Sequence, residues 1–414
     1  MQGDAVNHPD QVVPSAKWTP GHDWLGTGPL PHEPNISPDY FEAERERVFR
    51  RCWLLLCRED ELPGPASYTV KQVPILHTSV LVVRGEDGVV RAFHNVCRHR
   101  GNKVVMGAGE KSGDAPAFMC GFHGWTYDLE GRLIQVPDEA DFFGIDKCEL
   151  GLKSIHCELW RGFIFINVAD QPRSSLIEQI DPDWAEDVGR YPFEAFERSC
   201  VFNGYVDCNW KIGLDAFQEG YHVVALHRRS AYEPFASKDD PYAHLQWVRL
   251  YPEGTRRLSF PANLDFVPEP SVLKAVSYTG NNVYAYKEEG RQNLPGVNPG
   301  AFPNWSFDIN ILFPHTQLLM SDAFFAVQRF WPIAEDRMYW EADIYMPAAS
   351  KPSERIAQQN QAAALKDVIR EDLSTLENTQ SVLKSGAITH MQLNDSEIAV
   401  RYSYKKIQDW IDAD

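Results

Sequence analysis

The sequence lacks an excess of basic residues, and it lacks a long apolar run. Forty Lys and Arg stand against 58 Asp and Glu in 414 residues, which gives a formal net charge of -18. This balance argues against a nucleic-acid or anionic-membrane partner, because both require a basic face. The longest apolar stretch, around Phe163–Ile166, has the length of a strand and is far too short to span a membrane.

Cysteine is sparse, and repeats and low-complexity tracts are missing. Eight Cys scattered over so long a chain do not form the dense pattern of a small disulfide-linked secreted protein. Residues 1–20 are polar and contain no apolar signal segment. We therefore expect a reducing, cytoplasmic location in which some of the cysteines bind metal.

Local patterns predict an arm followed by two domains. Residues 1–49 are expected to form an extended arm and then a helix, with Ser37 as N-cap and Pro38 at the first helical position, which packs with the last domain. Residues 50–169 consist of short β-rich runs, such as the hairpin pattern of residues 80–93, and predict a small antiparallel β domain.

Residues 170–414 have a mixed pattern. Alternating apolar runs between 245 and 345 predict a larger antiparallel sheet, and helices are expected near Trp210, over 353–385 and over 395–412. The fold class is therefore α+β, with a small antiparallel β domain and a larger domain whose sheet is flanked by helices.

Two similar Cys–His pairs lie in the β-rich region: Cys97 with His99, and, twenty residues further on, Cys120 with His123. Structural zinc accepts these ligand types, as does a [2Fe–2S] cluster in which two His replace two Cys on one iron. The first pair is spaced more tightly than zinc motifs usually are, so the pattern fits the binuclear cluster better. Two matched pairs at hairpin tips disfavour ordinary buried Cys and His.

A second group of polar residues follows Trp210. Residues five apart on a regular helix are separated by about 140°, so His222 and His227 share a face only if the helix is broken. Asp215, Glu219 and His222 are spaced by four and three residues and are expected to share one helical face. This acidic, histidine-bearing stripe in an aromatic segment indicates a buried polar site.

The long helix over 353–385 adds a carboxylate. Its apolar stripe includes Leu365, Ile369 and Leu376, and Asp372 falls on that stripe while Glu371 is expected to point elsewhere. A carboxylate on a core face costs several kcal/mol unless it is paired or bound to metal. A salt bridge is the simpler alternative, but with His222 and His227 this residue makes the two-His, one-carboxylate set of non-haem Fe(II) oxygenases.

Together these motifs resemble the terminal oxygenase α subunits of Rieske non-haem iron oxygenases, the aromatic ring-hydroxylating dioxygenase family. The resemblance extends from about residue 37 onward. It is carried by Asn95–Gly101, Cys120–Asp128, Asn209–Lys211, Glu219–His222 with His227, and Glu371–Asp372 followed by Glu377 and Gln380. The interval between the Cys–His pairs is a few residues longer than usual in the family, and we expect the extra residues, 110–116, to form a surface loop.

The resemblance implies two cofactors and their ligands. A Rieske [2Fe–2S] cluster is expected in the domain over 50–169, with one iron held by two thiolates and the other by two imidazoles: Cys97 and Cys120, then His99 and His123. A mononuclear Fe(II) is expected in the domain over 170–414, held by His222, His227 and Asp372.

Two further acids receive roles from the resemblance. Glu219, where the family usually has Asp, is expected to connect a cluster histidine of a neighbouring subunit to the iron site. Asp215, where the family often has Asn, is expected to take part in catalysis. Walls of the substrate pocket are expected from the helix after Trp210 and from the sheet, with these apolar candidates: Leu214, Phe217, Val223 and Phe313.

The implied function is that of a terminal oxygenase. Electrons from a ferredoxin and/or a flavin reductase pass through the cluster to Fe(II), and O₂ is used to cis-dihydroxylate or monooxygenate an aromatic or related organic substrate. N- or O-demethylation is the alternative reaction. A homotrimer is expected, with or without a small β subunit. The rivals from other classes are a Rieske-type electron-transfer protein without oxygenase chemistry and a structural zinc protein.

Overall fold

The computed structural model describes residues 17–107, 109, 111–279 and 292–413. Residues 1–16 of the expected arm lie outside this part of the chain. From residue 17 on, short turns run along the surface, and the main-chain N–H groups of Lys17, Trp18 and Thr19 donate to the carboxylate of Asp395. The arm is thereby attached to the region that precedes the last helix.

The described residues contain both helices and antiparallel strands, which confirms the predicted α+β class. The helices are α1 (Pro38–Ala43), α2 (Leu176–Ile180), α3 (Pro182–Val188), α4 (Trp210–Asp215), α5 (Val223–Leu226), α6 (Tyr232–Phe235), α7 (Pro270–Thr279), α8 (Pro352–Leu383) and α9 (Ile398–Asp412). The strands are β1 (Leu30–Pro31), β2 (Leu54–Arg58), β3 (Ser67–Val73), β4 (Thr78–Arg84), β5 (Val90–His94), β6 (Lys111–Asp114), β7 (Phe118–Met119), β8 (Thr126–Tyr127), β9 (Leu133–Gln135), β10 (Ser154–Trp160), β11 (Phe163–Asn167), β12 (Phe196–Val206), β13 (Trp247–Leu250), β14 (Arg256–Pro261), β15 (Trp305–Leu312), β16 (Thr316–Met320), β17 (Phe325–Ala334), β18 (Arg337–Pro347) and β19 (His390–Met391). Among these helices, none is long and apolar enough to cross a membrane.

The first helix begins where its capping residues predict. The Ser37 hydroxyl accepts a hydrogen bond from the N–H of Tyr40 at 3.1 Å, and α1 continues into a π-helical turn over Glu44–Phe49. Glu44 is fully buried and accepts from Trp210 Nε1 at 3.0 Å and Lys211 Nζ at 2.6 Å. This buried ion pair connects the N-terminal helix to α4, a helix of the expected larger domain.

The β-rich region forms a seven-stranded antiparallel sheet in the order β2-β11-β10-β5-β4-β3-β6. The predicted hairpin over residues 80–93 is confirmed, with Val82 opposite Ala92. A smaller sheet, β7-β8-β9, lies beside it and carries the second Cys–His loop between β7 and β8. The expectation of a loop over 110–116 is wrong for residues 111–114, which are exposed but pair with β3 as an edge strand.

The later part of the chain forms a second seven-stranded antiparallel sheet, in the order β12-β18-β17-β16-β15-β14-β13. Helix α8 confirms the helix predicted over 353–385, and its buried residues include Ile369, Asp372 and Leu376, as the apolar stripe requires. The two large sheets agree with the prediction of a small and a larger domain that each contain an antiparallel sheet. The domain boundaries at 49/50 and 169/170 stay predictions.

Candidate metal centres

The two Cys–His pairs lie on loops with the same backbone turn. The N–H of Gly101 donates to the carbonyl of Cys97 at 3.0 Å, and the N–H of Gly124 donates to the carbonyl of Cys120 at 2.9 Å. Both glycines have positive φ, 78° and 73°, a conformation that any side chain would strain. The matching turns present the two pairs of side chains to each other.

The sulfurs form the buried side of this site. Cys97 and Cys120 are each 2 % exposed, and their thiols contact each other. The Tyr127 hydroxyl lies 3.3 Å from Cys97 Sγ, and Asn102 Nδ2 donates to Cys120 Sγ at 3.8 Å. Donors directed at buried sulfur suit the thiolate ligands of an iron–sulfur cluster.

The two imidazoles form the outer side. The rings of His99 and His123 lie 4.6 Å apart between centroids, and His99 stacks on Trp125 with ring centroids 5.0 Å apart. Arg100 Nη2 is 2.8 Å from His123 Nε2. Two sulfurs and two imidazoles on one pair of loops fit a [2Fe–2S] group with mixed ligands.

The second group of ligands depends on a break in the helix after Trp210. Helix α4 ends at Asp215 and α5 spans only Val223–Leu226, with His222 just before it and His227 just after it. The Nε2 atoms of the two histidines therefore approach to 3.2 Å. The expectation that Asp215, Glu219 and His222 share one helical face is wrong, because the helix does not continue past Asp215.

Asp372 completes this group from α8. Its side chain is 3 % exposed, and Oδ1 lies 2.9 Å from His227 Nε2 and 3.4 Å from His222 Nε2. Despite this proximity, Oδ1 receives no hydrogen bond of adequate geometry, and burial raises the pKa of the carboxyl. One ligand atom from each of the three residues lies within 4.8 Å of the others.

The outer nitrogens of both histidines are held by carboxylates. Glu219 Oε1 contacts His222 Nδ1, and Glu371 Oε2 lies 2.8 Å from His227 Nδ1. An imidazole that donates from Nδ1 presents a lone pair at Nε2. Two nitrogen lone pairs and a carboxylate oxygen then converge on one point, and a bound cation relieves their repulsion. The residues therefore fit a mononuclear metal ion.

The expectation that Glu371 points away from the site is wrong. Successive residues on a helix diverge by about 100°, but the loop after α5 passes across α8 and brings His227 against Glu371 as well as Asp372. Ser230 on the same loop also donates to Glu371. The only sequence signal for this role was the Glu–Asp pair itself.

Asp215 lies in a separate buried network. Its carboxyl contacts Tyr404 Oη at 3.0 Å and accepts from Gln218 Nε2 at 2.9 Å. Burial raises the pKa of Asp215 to about 7, against the lowering effect of these two contacts. A catalytic role for Asp215 stays a prediction.

A cavity of about 90 Å³ opens onto the three converging ligands. Its wall includes Phe217 and Val223, as predicted, with further aromatic and aliphatic side chains: Phe235, Phe260, Phe307, Ile309, Leu319 and Val368. The other two candidates, Leu214 and Phe313, are buried but do not line this cavity, so their prediction as pocket residues was wrong. Phe313 stacks instead on Trp410, with ring centroids 5.5 Å apart.

Comparison with known proteins identifies the family. Residues 182–413 match the model of the ring hydroxylating alpha subunit (catalytic domain), and residues 52–155 match the Rieske [2Fe-2S] domain. The chain belongs to the family of ring-hydroxylating oxygenase α subunits. These domains imply a Rieske [2Fe–2S] cluster and a mononuclear iron, so the two expected cofactors are confirmed.

Particular relatives act on different substrates. The chain is 28 % identical over 217 residues to the carnitine monooxygenase oxygenase subunit of Acinetobacter baumannii, covering 52 % of this chain and 57 % of the relative. It is 30 % identical over 293 residues to the large oxygenase component of the naphthalene 1,2-dioxygenase system of Pseudomonas aeruginosa, covering 65 % and 63 %. The matches thus span less than two thirds of either relative.

A solved structure shares the fold. The quaternary ammonium Rieske monooxygenase CntA, crystallised with an inhibitor, superposes with a TM-score of 0.72 at 22 % sequence identity. The match covers 92 % of this chain and 94 % of that one. At this identity the likeness establishes the fold alone.

Proposed function

We propose that the protein is the terminal oxygenase component of a Rieske oxygenase system and hydroxylates a neutral aromatic or related apolar substrate with O₂. The observation that carries the proposal is that the converging His222, His227 and Asp372 face an apolar cavity in a chain that also holds two Cys–His loops. An electron carrier needs the β-rich domain only, so the second ligand group disfavours that rival. The other rival, a structural zinc protein, is disfavoured by the same observation of two groups of metal ligands in one chain.

The proposed ligands are those expected from the sequence. Cys97 and Cys120 hold one iron of the cluster, and His99 and His123 hold the other. His222, His227 and Asp372 hold the mononuclear iron. When bound, these groups supply one-electron transfer and the activation of O₂ beside the substrate.

The protein's own residues prepare the site for this chemistry. Glu219 and Glu371 each retain the Nδ1 proton of one histidine, which fixes the tautomer that offers Nε2 to a metal. The wall of the space beside the ligands is mainly apolar. Glu219 is also the proposed connection to a cluster histidine of a neighbouring subunit.

We propose a homotrimer that receives electrons from a ferredoxin and/or a flavin reductase in the cytoplasm. Support for contact with another chain comes from apolar side chains exposed on and beside the second cluster loop, where Met119 is 65 % and Phe122 56 % exposed. In the proposed trimer this loop packs against a second copy whose Glu219 lies near a cluster histidine, as the family resemblance implies. A small β subunit is compatible with the same arrangement.

The cavity favours a neutral substrate over a betaine. Its described lining residues include neither Lys nor Arg, and carnitine carries a carboxylate that needs such a partner. Four Phe rings do line the cavity, and aromatic rings also attract trimethylammonium groups. N-demethylation of a quaternary or tertiary amine is therefore the second candidate.

Substrate-dependent O₂ uptake tests this choice. With a suitable ferredoxin and reductase, we expect uptake matched by hydroxylated product for neutral arenes such as naphthalene, and background uptake for carnitine and glycine betaine. The same assay with N-methyl and O-methyl arenes measures demethylation by the release of formaldehyde. Uptake confined to the betaines would contradict the proposed substrate class.

A further inference from the structure

The break between α4 and α5 replaces a helical hydrogen bond by two side-chain bonds. In a continuous helix the carbonyl of Phe217 would accept from the N–H of Tyr221, four residues on. Here the Phe217 carbonyl accepts from Gln317 Nε2 at 2.5 Å, and the Tyr221 N–H donates to the carboxylate of Glu219. Both halves of the missing helical bond are therefore satisfied from elsewhere, and the bond at the Phe217 carbonyl is buried, where an unpaired main-chain group would be costly.

The break is what allows the two histidines to meet. Five residues of regular helix would separate His222 and His227 by about 140° around the axis, whereas their Nε2 atoms lie 3.2 Å apart. Glu219, which satisfies the freed N–H, is the residue that also holds His222. On the other side of the break, the hydrogen bond from Gln317 to the Phe217 carbonyl holds the preceding part of the segment.

Gln317 is placed so that its amide has one orientation. The residue lies on β16, is 1 % exposed, and accepts at Oε1 from Gln328 Nε2 at 2.6 Å. Gln328 Oε1 in turn accepts from Trp340 Nε1 at 2.9 Å. The indole can only donate, so the direction of each bond in this series is fixed and the Gln317 amide must donate toward Phe217.

This series crosses three adjacent strands, β16, β17 and β18, and ends at the wall of the cavity, which both Gln317 and Phe217 line. The sheet therefore holds the Phe217 carbonyl at the point where the helix is broken. The simpler interpretation is that Gln317 only satisfies its own buried amide. The two interpretations differ in whether the geometry of the metal ligands depends on Gln317.

We infer that Gln317 is a positioning residue for the metal centre: by holding the Phe217 carbonyl, it keeps the helix broken so that His222 and His227 converge. This inference rests on the proposed function, because it assigns the residue to the site of the mononuclear iron. Gln317 acts through the backbone of residues 217–222 and needs no contact with the metal.

The test compares Gln317→Met with Gln328→Met. Both changes replace a buried amide by an apolar side chain of similar length in neighbouring strands, but only the first removes the bond to Phe217.

In protein that retains its cluster after mild chelation of the mononuclear iron, Co²⁺ binding is measured by equilibrium dialysis and the environment of the bound Co²⁺ by EPR. We expect Gln317→Met to weaken Co²⁺ binding about tenfold, as loss of an outer contact commonly does, and to change the Co²⁺ EPR signal. Gln328→Met is expected to change affinity less than twofold, and the visible spectrum of the cluster is expected to be the same in both variants.

Either of two results would decide against the inference. If Gln317→Met binds Co²⁺ like the wild type, or if Gln328→Met weakens binding equally, Gln317 has no specific positioning role. If Gln317→Met fails to fold, Gln317→Leu removes the donor with a smaller apolar side chain, and the same weakening is expected of it. Failure of the wild-type protein to bind Co²⁺ is a different result, since it would contradict the proposed function itself.

Discussion

At the scale of single residues, the metal centre is defined by which nitrogen of each histidine is engaged. Glu219 and Glu371 take the Nδ1 atoms, and this leaves both Nε2 atoms to face Asp372. The place of Asp372 on the buried stripe of α8 could be predicted from the sequence, because its spacing from the apolar residues of that helix shows which face it lies on. The role of Glu371 was not visible, because it depends on the path of a loop more than 140 residues away.

Asp215 offers a residue-scale test through pH. Burial raises its pKa to about 7, whereas an unfolded Asp titrates near 3.8. Between those values the folded protein holds a proton that the unfolded chain lacks, so this group stabilises the fold at low pH and loses that contribution as pH rises through 7. The Asn side chain of Asp215→Asn reproduces the protonated acid, accepting from Gln218 and donating to Tyr404.

The variant Asp215→Asn is therefore expected to be more stable than the wild type at pH 5.5 and to exceed it by a larger margin at pH 8, because the wild type loses stability progressively between pH 3.8 and about 7. Urea unfolding of both proteins at the two pH values measures the difference in free energy. Taking the difference between variant and wild type removes the effect of other titrating groups. A difference that does not change with pH would show that Asp215 titrates outside this range.

At the scale of elements, α1 and its π-helical turn are tied to α4 by one ion pair. Lys211 Nζ lies 2.6 Å from Glu44 Oε1, and both side chains are buried. Lys211→Met leaves the Glu44 carboxylate with the Trp210 N–H but without a counter-charge, and breaking a buried pair in this way costs about 3–5 kcal/mol. Chemical denaturation is expected to show a loss of this size.

The double variant Glu44→Gln, Lys211→Met is the control for that prediction. It removes both charges, keeps a group that accepts from Trp210, and is expected to be more stable than Lys211→Met alone. An equal or larger loss in the double variant would mean that packing, and not the unpaired charge, decides the stability of this contact.

Elements with local signals were predictable from the sequence. Ser37 and Pro38 marked the start of α1, and the turn after residue 83 marked the hairpin of β4 and β5. The break between α4 and α5 has one local signal, Gly220, which does not fix where the helix ends, and the Phe217 carbonyl at the break is held by Gln317, one hundred residues further along the chain. The strand β6 was missed because its four exposed residues have no apolar alternation, and its place in the sheet depends on pairing with β3, about forty residues earlier in the chain.

At the scale of the whole molecule, one chain carries the ligands proposed for two different iron centres. The β-rich region supplies sulfur and imidazole on two loops, and the second sheet with α8 supplies imidazole and carboxylate beside a cavity. Either centre alone is consistent with a simpler protein. Their presence together is what the proposed oxygenase activity requires.

The iron content of the purified protein, measured with the visible and EPR spectra of its reduced cluster, tests this claim most directly. We expect about three irons per chain, two in the cluster and one at His222, His227 and Asp372. His222→Ala is expected to retain about two irons and an unchanged cluster spectrum, because the cluster ligands lie on other loops. A wild-type protein with two irons per chain, or a His222→Ala variant with as much iron as the wild type, would contradict the account.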